Sequence, residues 1–92
     1  MPKVFENIEI LTRFVDAKPP QPMGTQYRVA VGDELWGDGK RHMVLKVQMV
    51  YGGKVAGRTS PSYPIDNDDE QRVRAVIDEL RPLAELLVKR NG

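Results

Sequence analysis

Ninety-two residues, 40% of them apolar and 7% aromatic, suffice for one domain with a small core and are too few for two. Fourteen Lys and Arg against 13 Asp and Glu leave a net charge of +1, which excludes a strongly basic or acidic character for the chain as a whole. With no cysteine, a disulfide framework and a thiolate metal site are both excluded.

No apolar run approaches the roughly 18 residues of a membrane span. The opening MPKVFENIEI has no charged-then-apolar leader pattern, so a soluble, cytoplasmic protein is expected. Charge is unevenly spread. Residues 1–65 carry a net +3 and residues 66–92 a net −2, so bases gather in the first two thirds. A chain this short buries little apolar surface alone, which favours a homodimer.

In chain order, Val4 to Val15 is rich in β-branched and aromatic residues at period two and predicts a strand. Ile8, Ile10, Thr12 and Phe14 fall on one face, with Glu9, Leu11, Arg13 and Val15 on the other. Residues 17–24, AKPPQPMG, cannot ladder through their prolines and predict an extended, mobile loop. Thr25 to Val31 resumes the alternation, with Tyr27, Val29 and Val31 inward and Arg28 and Ala30 outward. Gly37-Asp38-Gly39 then turns the chain.

His42 to Tyr51 is the most regular strand. Met43, Leu45, Val47 and Met49 alternate with Val44, Lys46 and Gln48, so one face meets a core and the other meets water. Gly52-Gly53 is a hairpin signal, and residues 54–60 predict the returning strand. Pro61 and Pro64 end the sheet, and Ile65 is placed to pack on the start of a helix. Asp66 to Glu70 supplies capping and dipole-matching acids. Val73, Val76, Ile77, Leu80, Leu83 and Leu87 follow at helical spacing. Pro82 interrupts without shifting that phase, which predicts one long helix kinked there.

The fold expected is therefore α+β: a four-stranded antiparallel curved sheet in a β-β-β-β-α meander, with the helix packed on one face. Residues 1–92 form a single domain, divided into a sheet (1–65) and a capped helix (66–92).

Catalytic chemistry finds no foothold. The single histidine, His42, reads as a surface residue. Asp33, Glu34 and Asp38 lack the spacing of a calcium loop. GGKVAG precedes a strand and lacks the ending of a phosphate loop. Ser60 and Ser62 have no base nearby in sequence. No enzyme activity, metal, cofactor or small-molecule substrate is expected.

What remains is a basic sheet face. Arg28, Lys46, Gln48 and Arg58 project together, with Lys40, Arg41 and Lys54 at the hairpins and Trp36, Tyr51 and Tyr63 at strand ends. Cations that track phosphates beside rings that stack bases make a single-strand binding surface. The plainer reading is a solvated face whose lysines discourage edge association. Strict alternation puts Tyr51 on the core side unless the strand end twists or bulges.

The order YRVAVGDE, GKRHMVLKVQMVY, GGKVAGRTSPSYPI, acidic cap and long bent helix resembles the positive-cofactor-four family of transcriptional coactivators, single-stranded nucleic-acid binders, and the Whirly-like proteins. VFENIEILTRFV resembles the extra opening segment of bacterial relatives. The resemblance covers most of the chain in pattern and spacing, with few identities. It implies dimerisation through helices and single strands lying over the exposed sheet face. The matching positions are Arg28, Trp36, Lys40, Gln48, Tyr51 and Arg58. Two departures remove charge: Gln48 stands where the family favours arginine, and Gly57-Arg58-Thr59-Ser60-Pro61 replaces a more basic turn. The alternative is a protein-interaction module, a small accessory or mobile-element protein, using the bent helix or an edge strand.

Overall fold

The computed structural model describes residues 4–91. Four strands, β1 (Phe5–Asp16), β2 (Thr25–Leu35), β3 (Arg41–Tyr51) and β4 (Lys54–Ala56), precede one helix, α1 (Asp69–Asn91). The strands lie in the order β1-β2-β3-β4, every neighbouring pair antiparallel, so the expected α+β meander is the observed one. Pro82 lies inside α1, which remains one helix as its apolar phase predicted.

β2 and β3 pair without a register break, from Thr25 opposite Tyr51 to Leu35 opposite Arg41. That continuity sorts their side chains. Tyr27, Val29 and Val31 lie opposite Met49, Val47 and Leu45 and pack with Leu11, Val15, Val73 and Leu80 of β1 and α1. Arg28, Ala30 and Glu34 lie opposite Gln48, Lys46 and His42 on the face away from the helix.

β1 departs from simple alternation. Its register against β2 shifts between Asn7 and Thr12, a bulge bridged by Asn7 Nδ2 donating to Thr12 Oγ1 (3.0 Å) and Thr12 Oγ1 donating to Ile8 O (2.8 Å). Ile8 therefore packs against the core, Ile10 is exposed, and only Thr12 and Phe14 keep the shared outward face. Gly32 is needed here for want of a side chain. A Cβ at that position would lie 2.1 Å from Glu6 O, so only glycine lets β1 approach.

The Pro-rich loop is tied down where a mobile one was expected. Asp69, fully buried, accepts the Tyr27 hydroxyl (2.7 Å), the Lys18 amide (3.1 Å) and the Arg72 guanidinium. Asn67 Oδ1 accepts the Asp69 amide while its Nδ2 donates to Lys18 O and Pro19 O. Gln21 Nε2 donates to Ser62 O (2.9 Å). One carboxylate thus joins loop, sheet and helix. Two further expectations fail locally. Ile65 is 98% exposed and is no staple, and the returning strand stops at Ala56.

Burial, and then the bond to Asp69, push the Tyr27 hydroxyl up to about 12. Burial would raise Asp69 as well, but the bonds from Tyr27, Lys18 and Arg72 outweigh it and hold the carboxyl below its ordinary range. Because the folded value lies below the unfolded one, this stabilisation is present at neutral pH and is lost as pH falls below the carboxylate range. Asp69→Asn should cost about 2 kcal/mol at neutral pH. It should also flatten the acid dependence of the urea midpoint; an unchanged pH profile would remove Asp69 from this role. Gly32→Ala should cost about 3 kcal/mol by the same measurement.

Candidate nucleic-acid interface

The face away from α1 gathers four of the expected residues. Arg28 Nη1 donates to Gln48 Oε1 (3.3 Å), its cross-strand neighbour, and Gln48 is only 7% exposed. Lys46 lies two residues along on the same face. Arg58 follows β4 and, with Thr59 and Ser60, closes a shallow cleft of about 230 Å³ against Lys46 and Gln48. Arg28, Lys46, Gln48 and Arg58 therefore form one neighbourhood. On its other side, opposite Arg28, is Phe14, 55% exposed, a ring the sequence offered as a strand residue and not as a site residue.

At the far end of this face is a linked set of charges and rings. Lys46 Nζ pairs with Glu34 and sits 5.1 Å from the centroid of Phe5. Trp36 Nε1 donates to the other oxygen of Glu34 (3.0 Å). His42 lies against Trp36, ring centroids 4.2 Å apart, and its Nε2 is 2.8 Å from Asp38 Oδ2. The Lys46 bond, more than any other contact, holds the Glu34 carboxyl below its ordinary value. The Lys40 amide and then His42 do the same for Asp38. The indole is 49% exposed even with His42 against it.

The remaining expected residues are not in this neighbourhood. Lys40 is exposed in the β2–β3 turn, with its amide on Asp38 Oδ1 (2.9 Å). Arg41 has the opposite parity, and its guanidinium binds Asp33 and the Val4 carbonyl. Tyr51, opposite Thr25 and Lys54, also has helix-side parity, because no bulge or register shift interrupts β2–β3 before it. Lys54 shares that side at the hairpin end. Strict alternation puts Tyr51 there, against the reading of it as a strand-end ring beside the open face, which the resemblance shared.

Among the described residues, no cluster of His, Asp and Glu is placed to hold a metal ion. Among the same residues no helix is long and apolar enough to cross a membrane. Comparison with protein-family models, curated proteins and solved structures returns no match.

The chain has one tryptophan and one histidine, so their contact can be observed in isolation. His42→Ala should shift the emission spectrum of Trp36 at constant pH by removing the ring stacked against it, and an unchanged spectrum would separate the two rings in solution.

Proposed function

We propose that the chain is a non-enzymatic binder of single-stranded DNA or RNA, working as a cytoplasmic homodimer. The supporting observation is the clustering of Arg28, Lys46, Gln48 and Arg58 on the sheet face that the helix leaves bare. Among the described residues Arg28 and Arg58 have no carboxylate within ion-pair distance, which leaves both available to phosphates. Phe14 and Trp36 offer exposed ring surface on which bases stack. Lys46 reaches phosphate only by leaving Glu34, which makes Glu34 a competitor for the same cation. The positive-cofactor-four resemblance points the same way and adds the dimer.

A protein-interaction module is the second reading. It is favoured by the exposed Leu83, Leu86 and Val88 along the second half of α1. A stable protein partner that survives nuclease treatment would support it.

Anisotropy of a fluorescent single strand tests the first reading. Affinity should fall with salt at a log–log slope of about −2 if three phosphates are neutralised. Arg58→Glu should weaken binding about tenfold with an unchanged urea midpoint, and Glu34→Gln should strengthen it by freeing Lys46. No anisotropy change at low salt would end the proposal.

A further inference from the structure

Gln48 lies on the open sheet face yet is only 7% exposed. Its Oε1 accepts Arg28 Nη1 at 3.3 Å, and because a guanidinium can only donate, this contact fixes which way the amide points. Nε2 is thereby turned toward the chain after β4, where a Cβ on Gly57 would lie 3.9 Å from it. Among the described residues Nε2 donates to no acceptor. It is not sealed off either, since no buried side-chain nitrogen or oxygen there lacks a partner. Its access is through the cleft of about 230 Å³ between Lys46–Gln48 and residues 57–61. The Thr59 amide donates to Ala56 O (3.1 Å) and turns the chain at that point. Exposed Thr59 and Ser60 bring hydroxyls to the cleft and Arg58 brings a guanidinium, and no carboxylate lines it. The volume is below the roughly 300–1,000 Å³ of pockets that enclose drug-sized ligands, so it suits one small group.

We infer that this cleft reads one base of a bound single strand and selects a keto base, thymine, uracil or guanine, through Gln48 Nε2. This rests on the single-strand reading of the proposed function and gives it a base preference. Charge and depth divide the work. Exposed cations such as Arg58 hold phosphates and carry no sequence information. A neutral amide in a nearly closed position gains little from a phosphate, which would shed its water for one uncharged donor. The edge of a base suits it better.

A glutamine with both amide atoms open pairs with adenine, its oxygen accepting from N6 and its nitrogen donating to N7. Gln48 cannot, because Arg28 holds the oxygen toward itself. It offers the cleft a donor alone. O4 of thymine or uracil, or O6 of guanine, accepts from that donor. The amino groups that cytosine and adenine carry at those positions would meet it donor to donor. The Thr59 and Ser60 hydroxyls donate or accept as required, so they accommodate the neighbouring ring nitrogen.

Anisotropy at neutral pH with fluorescent oligo-dT and oligo-dC of equal length tests the assignment, since these pyrimidines differ chiefly at position 4. The wild-type chain should bind oligo-dT about fivefold more tightly. Gln48→Glu replaces the donor with an acceptor and should reverse the preference toward oligo-dC, at lower overall affinity. Gly57→Val leaves the bond between Gln48 and Arg28 in place, sets a side chain against Nε2, and should bring the two affinities to near equality. This second variant decides the matter should Gln48→Glu fail to fold by circular dichroism. Equal binding of the two strands by the wild-type chain, or a preference for oligo-dC, would overturn the role of the cleft and leave the single-strand reading standing. Binding of neither strand at low salt would end both. A preference for oligo-dT that survives in the folded variants would overturn the assignment to Gln48.

Discussion

The unbroken pairing of Thr25–Leu35 with Arg41–Tyr51 is the constraint on which the rest depends. Side chains in a strand have period two, so one slipped residue would move Tyr27, Val29, Val47 and Met49 into water and bring Arg28, Lys46 and Gln48 beneath the helix. The core forbids that slip. Burying Tyr27, Val29, Val31 and Met49 stabilises the sheet by about 1.5–3 kcal/mol for each fully covered side chain, far more than any surface ion pair contributes. The basic face is therefore a consequence of the hydrophobic one. Charge does not organise this fold; it occupies the side that burial leaves over.

Asp69 secures the same arrangement from outside the sheet. A buried carboxylate is costly unless paired and hydrogen-bonded, and this one has Arg72, Tyr27 and the Lys18 amide. By holding the loop before β2 to the start of α1, it fixes where the helix begins and hence which side of the sheet it covers. Its effect on the open face is indirect.

Much of this was legible in the residues. The apolar alternation of β2 and β3, the glycine turns and the capped apolar register of α1 each specify an element without help from distant contacts. Alternation fails for β1 at its bulge because the cause lies across the sheet. Gly32 on β2 admits the β1 backbone, and nothing within VFENIEILTRFV announces it. Asp69 read as one cap acid among several, since only the folded chain brings Tyr27 and Lys18 to it. The site was legible in part for a similar reason. Arg28, Lys46 and Gln48 follow from parity, but the pairing of Lys46 with Glu34 and the exposure of Phe14 depend on which strands are neighbours.

The open face is electrostatically divided. Among the described residues Arg28 and Arg58 have no carboxylate within ion-pair distance, whereas toward Trp36 Lys46 pairs with Glu34 and His42 lies against Asp38. A polyanion would engage the first region by charge and the second by its rings. Mapping backbone amide shifts by NMR during titration with a single-stranded oligonucleotide tests this most directly. The account predicts shifts centred on Arg28, Lys46, Gln48 and Arg58 and extending to Phe14 and Trp36, with Leu83, Leu86 and the outer surface of α1 unmoved. Shifts confined to α1, or none at saturating oligonucleotide in low salt, would contradict it.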